Sequence, residues 1–425
     1  MQTSSMASDD TLAQLNAGKL AGAKHIKISA GLTHFPAALY TLADTLEILD
    51  LTDNQLSNLP DDLTRFKQLR ILFCSSNQFK HLPEVLGECH QLSMIGFKAN
   101  QINHIAEHAI PTQNLRWFIV TDNRLERVPD SLGDCAKLQK LMLAGNRLTS
   151  LPGRLKQCKS LELLRVAANR FESLPSWLLD MPKLAWLAYA GNPLNQFTPQ
   201  LELRQSAKQA IDWSKLQLQH VLGEGASGIT YQAVLHLGNN AKELVAVKLF
   251  KAGMTSDGLP DCEMQASLLA GEHPNLVGAK GVICHHPEEK QGLVMPLLHA
   301  NLAILAGPPS FDSCTRDVYA PTTKLNLNQA AHIAKGVLNA MQHLHASGIL
   351  HGDLYAHNIL WNDERVVLSD LGGASLLPSA DAAIAEKLMA LDRRAFSILL
   401  EELAHCCDAS VEVLTQHLNV GWLTP

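Results

Sequence analysis

No two of the nine cysteines in this 425-residue chain stand in C-x-x-C spacing. A zinc site would need tighter grouping, and an odd, scattered set does not make a disulfide framework. No stretch approaches the ~18–20 unbroken apolar residues of a membrane-spanning helix. Basic excess is also lacking: 35 Lys and Arg stand against 41 Asp and Glu, a formal charge of −6. Such a chain has no global field for nucleic acid or anionic lipid, so neither is expected as a partner. Met1 to Asp10 is polar, with no apolar core behind a basic start, and does not read as a secretory signal. With 46% apolar and 18% charged residues, the expectation is a folded, reduced, cytoplasmic protein of two or three domains.

What is present in the first half is a period. Asn54, Asn77, Asn100, Asn123, Asn146, Asn169 and Asn192 follow one another every 23 residues, as do leucines from Leu46 to Leu184. One unit reads Leu138-x-x-Leu141-x-Leu143-x-x-Asn146-x-Leu148-x-x-Leu151-Pro152-x-x-Leu155. Leu141 and Leu143 alternate as in a short strand and point inward. The recurrent Asn falls at a turn, where its amide can pair with backbone groups otherwise left without partners. One unit cannot bury its own apolar face, so units stack on a shared core. The pattern resembles the leucine-rich repeat family in its LPxxL form, which implies an α/β solenoid of horseshoe shape. A shortened unit spans Ile26 to Leu42, and Asp9 to Leu20 has Leu12 and Leu15 spaced for a capping helix.

Cys89, Cys135 and Cys158 share one repeat position with Phe66 and Met181, which favours burial over redox sensing. A row of strand positions reads Ile48, Ile71, Met94, Trp117, Lys140, Leu163, Trp186, beside Phe73, Ile119 and Met142. An apolar stripe on the concave side suits a protein partner at Trp117, Ile119, Met142, Leu163 and Trp186; equally, it suits packing on the chain's own second half.

The second half opens with Leu222-Gly223-Glu224-Gly225-Ala226-Ser227-Gly228-Ile229-Thr230-Tyr231. A β-branched run follows the third glycine, so the reading is a strand–turn–strand flap over nucleotide phosphates, not a dinucleotide-binding turn before a helix. Lys248 is the one charge inside the apolar strand Leu244 to Phe250 and needs partners: phosphate oxygens, and Glu263 from a following helix. Then come His351-Gly352-Asp353-Leu354-Tyr355-Ala356-His357-Asn358 and, twelve residues after Asn358, Asp370-Leu371-Gly372.

This series resembles the eukaryotic-type protein kinase family from about Leu216 to Leu403. The resemblance implies a two-lobed α+β protein-kinase-like domain using ATP and Mg2+. Lys248 would hold the α- and β-phosphates and pair with Glu263; Asp353 would take or orient the acceptor's hydroxyl proton; Asn358 and Asp370 would hold the metal. Leu222, Gly223, Gly225, Gly228, Thr230, Ala246, Met295, Pro296 and Leu298 would surround the nucleotide. The implied organisation is an N-terminal cap (1–25), repeats (26–197), a cap or linker helix (198–214) and a kinase domain (215–425). A second helix is expected from Leu325 to Ser347. His345 and His351 fall at positions that are structural in the family.

Departures accompany the resemblance. Gly352 replaces the usual arginine, which implies activity independent of activation-segment phosphorylation. Tyr355 stands where serine kinases have a phosphate-binding lysine; His357 stands where tyrosine kinases have arginine, and either donates a hydrogen bond or only packs. Residues 373 to 391 alone separate Gly372 from Asp392, with no A-P-E sequence, so the usual peptide platform is missing or cut. Ser375 and Ser379 are the hydroxyls available there for self-modification, and the loop from Gly307 to Thr323 is an insertion. The leading reading is a serine/threonine protein kinase whose repeats recruit a partner or substrate. The alternatives are a kinase for a small molecule and a catalytically silent scaffold.

Overall fold

The computed structural model describes residues 8–195, 210–225, 227–251, 253–255 and 257–418. The chain divides into two compact units, the first ending at Leu184 and the second starting at Ala185.

In the first unit, helix α1 (Ser8–Asn16) precedes the repeats. Seven three-residue strands follow, from His25–Lys27 to Leu163–Arg165, each parallel to the next. The register advances by one repeat at each step, pairing Ile48 with Ile71, Met94 with Trp117 and Lys140 with Leu163. Middle strand residues Leu49, Leu72, Ile95, Phe118, Leu141 and Leu164 are wholly buried, as the period-two alternation requires. Short 3-10 turns return the chain, several entered through a proline (Pro83, Pro129, Pro152, Pro175) whose ring fixes φ between −58° and −69°.

The asparagines stitch neighbouring units together. Asn146 Oδ1 accepts the Leu125 N–H at 3.0 Å, while its Nδ2 donates to Val120 O and Leu143 O, both at 2.9 Å. Asn77, Asn123 and Asn169 repeat the scheme at the same offsets. The residue before each amide is held left-handed: Asp53, Ser76, Ala99, Asp122 and Ala168 lie at φ 50° to 59°, and Gly145 at 68°. The repeat cysteines are structural. Burial raises the thiols of Cys135 to about 12 and of Cys89 and Cys158 to about 11, far from a reactive thiolate.

The apolar row is less open than its composition suggests. Ile71, Met94, Met142 and Leu163 are buried; Trp117 and Ile119 are half-buried. The Trp117 indole N–H points at Met142 Sδ (3.2 Å), and Lys140 Nζ lies 4.3 Å from the Trp117 ring centre. Trp186 belongs to the second unit.

That unit begins with the repeat-like strand Trp186–Ala188 and continues into a six-stranded sheet. Its order is Leu216–Glu224, Gly228–Gly238, Ala241–Phe250, Gly292–Pro296, Gly281–Cys284, Ala210–Asp212. Most of the expected cap or linker helix lies outside the described residues. Its end, Ala210–Asp212, is a strand instead, paired in parallel with Val282–Cys284 because Ile211 packs on the apolar core of the sheet. Helix α2 (Pro260–Ala270) follows the strand Ala241–Phe250, with proline at its first position. A second group of helices comprises α3 (Leu327–Ala346), α4 (Ala382–Cys406) and α5 (Val411–Leu418). Asn326 and Gln329 form a capping box on α3, and its stripe of Ile333, Val337, Met341 and Leu344 is wholly buried. No helix among the described residues is long and apolar enough to cross a membrane.

Candidate active site

Strand alternation delivers the lysine. In Ala241–Phe250, Val245, Val247 and Leu249 point into the sheet core, so Ala246 and Lys248 project from the opposite face. Helix α2 has a buried face of Cys262, Ala266, Ser267 and Ala270, in which Glu263 is the one acid. Lys248 Nζ and Glu263 Oε1 form a close ion pair, both side chains largely buried. Burial pushes the Glu263 carboxyl up to about 7; Lys248 opposes this and the charge of Asp370 adds to it.

The pair sits in a cleft of about 600 Å3. Leu222, Gly223, Gly225, Gly228 and Thr230 line it from the flap, Ala246, Met295, Pro296 and Leu298 from the neighbouring strands, and Asp370 from below. Every expected nucleotide-contacting residue therefore faces one space. The three glycines differ in purpose. A Cβ on Gly223 or Gly225 would meet nothing within 4 Å, so nothing crowds this part of the flap, although the Gly225 N–H already donates to Gly228 O at 2.9 Å. A Cβ on Gly228 would lie 2.5 Å from Leu249 O, so that glycine serves close strand packing.

Below the flap, Asp353 and Asn358 are joined: Asn358 Nδ2 donates to Asp353 O (3.1 Å) and Oδ2 (3.3 Å). The amide oxygen of Asn358 is thus the atom it can offer elsewhere. Ser369, one residue before Asp370, donates its N–H to Asn358 O at 2.8 Å, which ties the two expected metal-binding residues together. Asp370 is exposed, held left-handed at φ 60°, and its Oδ1 accepts the Gly372 N–H (2.9 Å). Two hard oxygen donors, from Asn358 and Asp370, beside two further carboxylates, Asp353 and Glu263, and a single lysine fit a divalent cation of the magnesium type.

Asp392 of α4 anchors this loop. Its wholly buried carboxylate accepts the N–H of His351 (2.8 Å) and of Gly352 (3.0 Å), and lies 2.9 Å from His345 Nε2. His345 and His351 are accordingly scaffold residues.

Residues 216–394 match the family model for protein tyrosine and serine/threonine kinases; residues 45–66 and 113–171 match leucine-rich repeat models. The chain joins leucine-rich repeats to a protein kinase domain. Cyclin-dependent kinase 10 of Rattus norvegicus is 31% identical over 183 residues, 42% of this chain and 47% of that one. Ephrin type-B receptor 1-A of Xenopus laevis is 28% identical over 183 residues, 43% of this chain and 17% of the receptor. The chain thus spans less than half the length of these curated relatives. Among solved structures, a leucine-rich repeat protein of Leptospira interrogans aligns with TM-score 0.36 and 25% identity, over 42% of this chain and 52% of that one.

The kinase domain departs from its sequence reading in three places. Helix α4 already starts at Ala382, so residues 382–391 are helix rather than activation segment, started by the Asp381 side chain capping the Ala383 and Ile384 N–H groups. Ser375 is 3% exposed and its Oγ accepts the Tyr189 N–H at 3.1 Å, which removes it as a ready phosphoacceptor; Ser379 is exposed. Tyr355 is buried under Trp186 instead of facing phosphate.

The insertion supports the catalytic loop. Asp317 Oδ2 accepts the Ala356 N–H, and its Oδ1 lies 2.7 Å from His357 Nδ1. Burial lowers the His357 pKa, but the hydrogen bond and charge of Asp317 outweigh that and hold it above its ordinary value. Nearby, Tyr319 donates to Glu402 Oε2 (3.1 Å). Burial, with the Asp317 charge, pushes the Glu402 carboxyl up to about 7 against the pull of Tyr319. A carboxyl raised from the unfolded value of 4.5 contributes fully below that pH, and its contribution is lost as pH rises through about 7. Glu402→Gln keeps an acceptor for Tyr319 without this loss. Urea unfolding should therefore find the variant more stable than wild type at pH 8 by on the order of 1–2 kcal/mol, with the gap closing at pH 5.

Sequence reasoning assigned no role to Asp392 or Asp317, and it gave Trp186 to a partner surface, whereas the side chain is buried and bonded to Leu354 O. Asp392 had a signal, as an acid on the apolar stripe of Leu388, Leu391, Ala395 and Leu399. Asp317 had none, since its partners lie about forty residues away in an unrelated loop.

Proposed function

We propose that the protein is an ATP- and magnesium-dependent protein kinase that phosphorylates serine or threonine, with its repeats engaging a substrate or partner. The observation that carries this reading is the buried Lys248–Glu263 pair sharing one cleft with the glycine flap and Asp370. Gly223 and Gly225 carry no side chain that would keep phosphate oxygens from the flap, and Lys248 neutralises the α- and β-phosphates while Glu263 fixes its direction. Asn358 and Asp370 would hold the metal, which supplies charge neutralisation on the transferred group. Asp353 accepts the acceptor's hydroxyl proton as the new P–O bond forms and the bond from γ-phosphorus to the bridging oxygen breaks, releasing ADP. Trp117 and Ile119, half-buried on the repeat row, are the side chains offered for partner contact.

The kinase acting on a small molecule is a second reading, favoured by the nine residues, 373–381, that alone connect Gly372 to α4. One assay separates the readings. Purified protein is given γ-labelled ATP and Mg2+ with itself, a basic protein and a metabolite extract as acceptors, with and without chelator. Chelator-sensitive phosphoserine or phosphothreonine is expected, with self-modification at Ser379 and not Ser375. Phosphotyrosine would correct the specificity, transfer to metabolites alone would favour the second reading, and nucleotide binding without any transfer would sink both.

A further inference from the structure

Within the second unit, the segment from Trp186 to Asn195 grips the two pieces of chain on which phosphoryl transfer depends. The Trp186 ring lies flat on Tyr355, centroids 4.4 Å apart and planes 8° from parallel. Its indole N–H donates to Leu354 O at 2.8 Å, the carbonyl immediately after Asp353. Trp186 is 1% exposed, so this bond forms away from competing water. The guanidinium of Arg316, next to Asp317, lies 5.5 Å from the same ring.

Three residues on, the grip passes to the strand after Gly372. Tyr189 donates its N–H to Ser375 Oγ (3.1 Å) and its hydroxyl to Leu376 O (2.6 Å). Asn195 completes the clamp: Nδ2 donates to Leu376 O (2.8 Å), and Oδ1 accepts the Leu376 N–H (3.2 Å). Burial raises the Tyr189 hydroxyl far above its ordinary value, so it stays a donor at every working pH. Leu376 thus has both backbone groups satisfied by this segment, and on the other side Ile349 pairs with Leu376 and Leu350 with Ser375. Three separate elements, all reached from ten residues, are the loop bearing Asp353, the strand following Asp370-Leu371-Gly372 and the insertion.

We infer that Trp186 is a positioning residue for phosphoryl transfer. With Tyr189 and Asn195 it holds the catalytic loop and the shortened activation segment in working order without any activation-segment phosphate. The inference rests on the kinase reading above and deepens it by naming what sets the site. A tryptophan that merely filled a core would be replaceable by phenylalanine at little cost to rate. Here the indole N–H is aimed at the carbonyl beside the base, and losing it frees that peptide to rotate.

The test uses the full chain with Trp186→Phe, which keeps the ring stack and loses the hydrogen bond, and Trp186→Ala, which loses both. Turnover, KM for ATP, thermal midpoint and hydrogen exchange of the 351–358 peptide are read for each, and wild type is assayed before and after phosphatase treatment. For Trp186→Phe, turnover should fall roughly tenfold or more with KM for ATP unchanged, a near wild-type midpoint and faster exchange at 351–358. Phosphatase treatment should leave the wild-type rate intact. Wild-type turnover in Trp186→Phe with unchanged exchange would overturn the inference while leaving the kinase reading standing, as would loss of wild-type activity on dephosphorylation. Wild-type protein that transfers no phosphate to any acceptor would overturn the kinase reading itself.

Discussion

Asp353→Asn is expected to slow phosphoryl transfer by about 100- to 10,000-fold, with ATP affinity close to wild type. In the proposed mechanism this carboxylate takes the acceptor's proton, and asparagine cannot take it. The substitution should otherwise be quiet. Asn358 Nδ2, 3.3 Å from Asp353 Oδ2, finds an amide oxygen in the same place, and the main-chain bond to Asp353 O is untouched. Lys248, Glu263 and the glycine flap, which line the cleft, belong to other elements. The discriminating measurement is therefore turnover against KM for ATP. An unchanged turnover would remove Asp353 from the mechanism; a parallel rise in KM would show that it binds nucleotide instead.

Gly352→Arg, which restores the residue usual in the family, should disable this chain. Gly352 sits at φ 69°, where a side chain costs about 1–2 kcal/mol. A Cβ there would also come 2.4 Å from Leu187 O and 2.7 Å from Gly373 O, both backbone atoms that cannot swing aside. Total destabilisation should reach on the order of 3 kcal/mol or more, and the displaced loop should lose most of its transfer rate. The injury begins at Cβ, so Gly352→Ala should share most of it; urea unfolding of both variants checks this. An arginine variant as stable as wild type would mean that Leu187 does not approach the loop.

The elements that could be read in advance were those whose determinants lie close together in sequence. The repeat announced itself because each Asn bonds groups at fixed offsets within its own and the preceding unit, so identical geometry demands identical spacing. Lys248, Asp353, Asn358 and Asp370 could be singled out as candidates because loop and strand chemistry confines each to a short motif. The unread features depend on distant chain. Trp186 kept the phase of the repeat row, yet its partners Leu354 and Tyr355 lie some 168 residues on, beyond any periodicity. Ser375 looked available because a hydroxyl near an activation segment usually is, and only the Tyr189 N–H explains its burial. The same holds for Ala210–Asp212, whose polar surroundings suggest a helix until Val282 to Cys284 offers it an edge.

The asparagine stitching has a consequence for how such a coil changes length. From Asn77 to Asn169, each side-chain amide reaches back 21 residues to one N–H and 26 to one carbonyl, never past the adjoining turn. Excising or duplicating a stretch of 23 residues, cut between equivalent positions, therefore leaves every amide with both correspondents. A cut of any other length strands one amide and opens a seam. The coil can accordingly grow or shrink only in whole steps, and its reach is quantised by a bond pattern that no single surface residue controls.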